Sequence, residues 1–318
     1  MTFNLTDPIF TDADKAREHL EAQRWPDGPY CPHCGNVDQR RIAKMEGTAH
    51  RPGLYNCREC RKQFSVTVGT VFERSKIPLN QWLLATYLLA SSKKGMSAHQ
   101  LHRMLGVTYK TAWFMEHRIR EAMREGTDGY KASPKGGLGG KNKVVEADET
   151  FVGGKAKNRA FRKPAKKEAV VSLVEREGKV RSFHVANVTS KTLKPILYTQ
   201  IDRASYLMTD EAPVYGKIGR QFGGHGTVNH SIKEYVRTGG FHHTNTVENY
   251  FSIFKRGIVG TYHHVSEAHL KRYLAEFDFR HNERAGLGVD DAERANKALK
   301  GISGKRLTYR SPNQSAHA

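Results

Sequence analysis

Four cysteines set the tightest constraint on this chain. They are the only cysteines in 318 residues, and they come as two pairs, Cys31-Pro-His-Cys34 and Cys57-Arg-Glu-Cys60, with 22 residues between them. Each CxxC folds as a tight knuckle that turns two thiolates toward one ion, and two knuckles complete a tetrahedral site, so Cys31, Cys34, Cys57 and Cys60 predict a closed, structural Zn2+. A redox CxxC pair, or His33 as a ligand, is the competing reading. The gap is slightly long for a zinc ribbon, and a hairpin at Lys44–Gly53 absorbs the excess. Tyr55-Asn-Cys57 and Phe64 to Val68 read as the strands beside the second knuckle. Four cysteines are too few for a disulfide scaffold in a chain of this length, so a reducing, cytoplasmic setting is expected.

Charge narrows the partner. Lys and Arg number 52 against 32 Asp and Glu, a formal +20. Such an excess concentrates polyanions, and nucleic acid is the leading candidate over a merely basic globular protein. No apolar run approaches the roughly 18 residues that a membrane span requires, and the N-terminus has no apolar stretch of the secretory kind.

Local patterns then divide the chain. Asp12–Gln23 reads as a helix with Ala16 and Leu20 inward. Leu79 to Ala90 is a second helix, Ser97 caps a third through Leu105, Gly106-Val107 turns, and Thr108 caps Tyr109 to Arg120. Short helix, glycine turn and longer basic helix make a helix-turn-helix pattern, which would aim Tyr109, Lys110 and Thr111 at the major groove. A helical hairpin that binds no DNA reads equally well. Trp113 and Met115 are expected in the core. Lys131 to Lys143, rich in Gly and Lys, reads as a linker.

Beyond the linker the period changes from helical to alternating. Val144–Val152, Ala169–Glu175 and Val180–Val188 predict strands, Leu193–Asp202 a helix, and Ser205–Thr209 and Thr227–Asn229 two further strands. That order describes an α/β domain with a mixed sheet. Between the first two strands lies a basic loop that includes Lys155, Lys157, Arg159, Arg162 and Lys163, and no acid. Near the end of the domain, Val247, Tyr250, Phe251, Phe254 and Ile258 form one apolar stripe at helical spacing, with Glu248 and Lys255 along its edge two turns apart. Asp148 stands on the first strand, Asp210 follows the fourth, and Glu248 lies on that helix. Three carboxylates from separate elements are the donor set that hard cations such as Mg2+ or Mn2+ take, and two such ions can serve a phosphodiester displacement.

The quoted cysteine pairs, Ala147-Asp-Glu-Thr-Phe-Val-Gly-Gly, Met208-Thr-Asp-Glu-Ala, Val228-Asn-His-Ser and His243 through Asn282 together resemble bacterial insertion-sequence DDE transposases of the ISXO-like kind. These join an N-terminal zinc ribbon to a catalytic domain of the RNase H-like integrase superfamily. The resemblance implies an α/β fold, an RNase H-like mixed five-stranded sheet with flanking helices, preceded by a small zinc ribbon and a helix-turn-helix module. It implies Asp148, Asp210 and Glu248 as the catalytic, Mg2+-binding triad, and Lys255 beside the DNA backbone, with Arg256 next to it. Strand alternation puts Glu146 on the face of Asp148, as an outer partner, and Glu149 on the other face. The expected divisions are 1–27 helical, 28–72 ribbon, 77–127 helix-turn-helix, 128–143 linker, 144–290 catalytic domain and 291–318 a basic flexible tail.

The resulting expectation is a transposase that hydrolyses phosphodiesters and transfers strands at insertion-sequence ends. Its partners would be double-stranded DNA (terminal inverted repeats and target) and a second copy of the chain. Two alternatives are a catalytically inactive or domesticated DNA-binding regulator and a structure-specific nuclease on the same fold.

Overall fold

Capping side chains and valine-rich alternation set the elements of the computed structural model, which describes residues 4–125, 137–153, 167–228 and 241–308. The chain divides into two units, Met1–Arg124 with Gly288–Ala318, and Glu125–Leu287.

In the first unit, α1 (Pro8–Thr11) and α2 (Ala13–Arg24) start on aspartates, and Asp12 accepts from the amides of Asp14 at 2.7 Å and Lys15 at 3.1 Å. Ala16 and Leu20 are buried, as their spacing predicts. The ribbon is a three-stranded antiparallel sheet, β1 (Ile42–Lys44), β2 (Tyr55–Cys57) and β3 (Gln63–Phe64), in that order. The excess residues form the β1–β2 turn, closed by Met45 N to Leu54 O at 2.8 Å. The last strand is shorter than predicted, because the chain turns at Ser65–Thr70 and Arg24 takes the Val68 carbonyl at 2.9 Å. Trp25 sets its ring edge-on against Tyr55 and Phe64, at 5.3 and 5.9 Å, closing the small core.

Three helices follow: α3 (Leu79–Ser91), α4 (Ala98–Leu105) and α5 (Tyr109–Met123). Ser97 caps α4 and Thr108 caps α5, each accepting an amide at 3.2 Å. Between them Gly106 sits at φ 66°, ψ 22°, a left-handed turn that a side chain would strain.

The second unit is built on one five-stranded sheet. Its strands are β4 (Val144–Val152), β5 (Glu168–Glu175), β6 (Val180–Val185), β7 (Tyr206–Asp210) and β8 (Gly224–Val228), in the order β6-β5-β4-β7-β8. The β4–β5 and β5–β6 pairs are antiparallel, while β4–β7 and β7–β8 are parallel. This is a mixed five-stranded sheet flanked by helices, as the resemblance to RNase H-like transposase domains implies. Helix α6 (Ser190–Gln200) crosses between β6 and β7, and α7 (Pro213–Gly219) follows β7. Val145, Ala147, Val171 and Leu173 pack with Leu193, Leu197 and Tyr215 from these helices. Val152, Val170, Val174 and Val180 pack with α8 (Asn245–Gly257) and α9 (Glu267–Asn282). Alternation along β4 and β5 therefore feeds two cores, one on each side of the sheet. Val247, Tyr250, Phe251, Phe254 and Ile258 are all buried, so the predicted stripe on α8 is the face it packs with.

The expectation of a flexible tail from residue 291 does not hold over its first part. Asp291–Lys300 is a helix, α10, that returns to the first unit and packs on α3. Ala292, Ala295, Ala298, Leu299 and Ile302 are buried. Burial of this apolar face outweighs the basic composition that marks the segment as a solvated tail. Asp290 starts the helix by accepting Glu293 N at 2.7 Å.

Candidate functional site

The site begins where β4 and β7 part. Their parallel pairing runs Val144↔Tyr206, Val145↔Leu207, Glu146↔Met208 and then stops. Continuing that register by two residues brings Asp148 level with Asp210, the last residue of β7. Burial, joined by the charges of Glu149, Asp210 and Glu248, pushes the Asp148 carboxyl up to about 7, although it accepts Glu149 N at 2.7 Å. Asp210 of β7 and Glu248 of α8 thus stand near enough for their charges to reach Asp148 of β4. Glu248, in the first turn of α8, accepts the Thr244 hydroxyl at 2.8 Å.

Glu149 points to the opposite side of β4, where its carboxylate accepts the Tyr215 hydroxyl at 2.7 Å. Burial raises its proton affinity and Asp210 adds to the effect. Glu149, Asp210 and Glu248 each add a negative charge beside Asp148, and like charges gathered in a half-buried place are stabilised by a cation. Hard oxygen donors of this number fit Mg2+ or Mn2+. Among the described residues, two groups of three or more place their ligand atoms all within 4.8 Å: the four cysteines, and Glu168 with His184 and Glu267. Asp148, Asp210 and Glu248 are not such a group, so their carboxylates stand farther apart than that. The second group is centred on a Glu168–His184 pair at 2.8 Å, with Glu267 exposed beside it.

Glu146 is the residue whose importance the sequence understates. It is fully buried, and its carboxylate reaches the start of α8, accepting Thr246 N at 2.8 Å, Val247 N at 2.9 Å and the Thr246 hydroxyl at 3.0 Å. Helix starts leave such amides without partners, and a carboxylate there also meets the positive end of the helix dipole. Arg176, in the β5–β6 turn, pairs with Glu146 at 2.7 Å and donates to the carbonyls of Phe241 and His243, each at 2.9 Å. His243 turns Nδ1 toward Glu146 at 3.2 Å. The sequence places Glu146 on the correct face of its strand. Nothing in the sequence pairs it with Arg176 or with amides a hundred residues on.

The zinc site is the tighter of the two centres, with its four sulfurs all within 4.8 Å of one another. Cys31 Sγ lies 3.6 Å from Cys60 Sγ and Cys34 Sγ 3.7 Å from Cys57 Sγ. Four thiolates around one zinc ion at its usual bond length stand about 3.8 Å apart, so the sulfurs fit a single ion. His33 turns Nε2 to the Gln63 carbonyl at 3.3 Å and away from the set.

Of the predicted DNA-contacting residues, Lys255 and Arg256 are exposed on α8, and Arg256 folds back on Ser252, donating to its hydroxyl at 2.9 Å. Tyr109 and Lys110 are exposed at the start of α5, with the Tyr109 ring stacked on His99 at 4.3 Å. Thr111 is half-buried, and its hydroxyl lies 2.9 Å from that of Thr108. Met115 is buried as expected, and Trp113 packs on the His117 ring at 4.2 Å. Lys155, Lys157, Arg159, Arg162 and Lys163 lie outside the described residues. No described helix is long and apolar enough to cross a membrane.

Comparison with known proteins agrees with this layout. Residues 138–282 match the model of the ISXO2-like transposase domain, and residues 11–63 match that of the transposase zinc-ribbon domain. An uncharacterized protein in transposable element ISH50 of Halobacterium salinarum is 26% identical over 293 residues, covering 85% of this chain and 91% of its own length. A chain of the simian T-cell lymphotropic virus intasome in complex with PP2A regulatory subunit B56 gamma gives a TM-score of 0.29 at 18% identity, over 59% of this chain and 66% of that one, a likeness too slight to bear on fold or function. Both domain models match in order along one chain that carries the thiolate cluster and the mixed sheet, so the protein carries a transposase zinc-ribbon domain followed by an ISXO2-like transposase domain.

Proposed function

We propose that this transposase carries out metal-dependent phosphodiester hydrolysis at the ends of an insertion sequence and then transfers the freed 3′ strand to target DNA. The reading assigns Asp148, Asp210 and Glu248 to hold two divalent cations. Bound there, such cations supply activation of the attacking oxygen and charge stabilisation at the leaving one. The observation that carries the reading is the sheet register, which sets Asp148 of β4 level with Asp210 of β7, with the charge of Glu248 on α8 also bearing on Asp148. No Tyr or Ser nucleophile is needed, because the attacking group is water in the first step and a DNA hydroxyl in the second.

Other residues take supporting roles in this reading. Lys255, two turns from Glu248 and exposed, holds backbone phosphate, with Arg256 beside it. Lys155, Lys157, Arg159, Arg162 and Lys163 add cationic contacts along the duplex. Tyr109, Lys110 and Thr111 present the start of α5 to a major groove. Joining two ends in one event calls for at least two copies of the chain on DNA.

The test uses the purified, zinc-loaded chain with a labelled duplex carrying the element's own terminal inverted repeat, a supercoiled target and Mg2+. The reading predicts cleaved ends and joined product, with Asp210→Asn still binding the duplex while neither cutting nor joining. Binding without cleavage by the unaltered chain would make it a regulator. Cutting of branched DNA without joining would make it a structure-specific nuclease.

A further inference from the structure

We propose that Glu146 is the positioning residue of the acidic site: its buried carboxylate fastens the start of α8 to β4, and so fixes Glu248 relative to Asp148 before any cation arrives. This rests on the reading in which Asp148, Asp210 and Glu248 hold the cations. Glu146 precedes Asp148 by two residues on β4 and shares its face, while Thr246, which it grips, precedes Glu248 by two on α8. The clamp therefore ties the two acids together through at most two residues of backbone on each side.

Its chemistry is that of a helix cap supplied from another element. Thr244 occupies the capping position, but its hydroxyl bonds Glu248 and makes no cap of its own. The amides of Thr246 and Val247 go to Glu146 instead. Arg176 offsets the buried charge and, through the carbonyls of Phe241 and His243, holds the segment that leads into α8. Glu146 thus has its oxygens committed to α8 and Arg176, which makes it a support for the cation-binding groups and not one of them.

The experiment compares the full zinc-loaded chain with Glu146→Gln, Arg176→Lys and Asp148→Asn. It reads Mn2+ binding by calorimetry without DNA, Mg2+ titrations of cleavage, and thermal melting. A supporting group of this kind alters metal affinity by about 10-fold or more when changed. Glu146→Gln should weaken Mn2+ binding and raise the Mg2+ needed for half-maximal cleavage by that factor, with most of the rate recovered at saturating Mg2+. Asp148→Asn should lose both at every concentration. Arg176→Lys should shift the Mg2+ requirement in the same direction, and it decides the question if Glu146→Gln does not fold. Lower melting with unchanged Mn2+ affinity and Mg2+ requirement reduces Glu146 to a structural cap and overturns the proposal. Loss of cleavage by Glu146→Gln at all Mg2+ levels makes Glu146 a ligand and also overturns it. Wild-type Mn2+ affinity in Asp148→Asn, Asp210→Asn and Glu248→Gln alike removes the metal reading itself, and the positioning role with it.

Discussion

The Tyr215 hydroxyl donates to the Glu149 carboxylate at 2.7 Å, joining α7 to the strand that carries Asp148. Burial, followed by the Glu149 charge, holds the Tyr215 phenol well above its usual range, so it stays a donor at every working pH. Tyr215→Phe removes that donor and leaves Glu149 half-buried near Asp210. A lost hydrogen bond to a buried charge costs about 1–3 kcal/mol, and denaturant unfolding should show a loss of that size. Adding Glu149→Gln should return part of it, since the stranded charge is then gone.

The ribbon should carry one zinc ion per chain, on the four thiolates. Cys57→Ser, or a chelator that strips the metal, should release that zinc and unfold the small sheet around Trp25, Tyr55 and Phe64. Metal analysis and tryptophan fluorescence read both events. Full zinc retention in Cys57→Ser would count against the assignment.

A buried network gives a pH signature. Asp278 of α9 accepts Ser182 N at 2.7 Å, the Ser182 hydroxyl at 2.7 Å and the Tyr250 hydroxyl at 2.6 Å. Burial nevertheless outweighs these donors and pushes the Asp278 carboxyl up to about 6, from 3.8 when unfolded. A carboxyl whose folded value is raised favours the fold fully below pH 3.8 and loses that contribution as pH climbs to 6. The span corresponds to a few kcal/mol. Asp278→Asn should flatten the fall in stability between pH 4 and pH 6, which melting temperatures against pH will show.

Helix α10 predicts an effect that a loose tail does not. Leu299 is buried where α10 packs, and Leu299→Ala should cost roughly 2–4 kcal/mol in the first unit. Ending the chain at residue 290 should expose α3 and make that unit sensitive to protease. Unchanged melting in both variants would contradict the packing of α10.

How far the sequence anticipates this structure follows from how local each signal is. The knuckles, the caps at Ser97 and Thr108 and the stripe of α8 are signals within a few residues, and each appears where its spacing puts it. Strand β4 runs Val144–Val152 as predicted, because alternating Val, Ala and Glu leave one reading of the period. The start of α10 carries a signal that the flexible-tail reading passed over: Asp290 with Glu293 is a capping pair, and Ala292, Ala295 and Leu299 fall on one helical face. Its lysines pointed to solvent and masked that small stripe. The Glu146–Arg176 clamp and the Glu149–Tyr215 bond were not legible, since each joins residues that only the folded sheet brings together.

The central claim is that Asp148, Asp210 and Glu248 jointly hold divalent cations. Crystals of the zinc-loaded chain soaked in Mn2+ test it directly, through anomalous difference density at the manganese edge. The account predicts manganese within coordinating distance of all three carboxylates, and its disappearance in Asp148→Asn. Manganese bound instead at Glu168, His184 and Glu267, with the region between Asp148 and Asp210 empty, would contradict it.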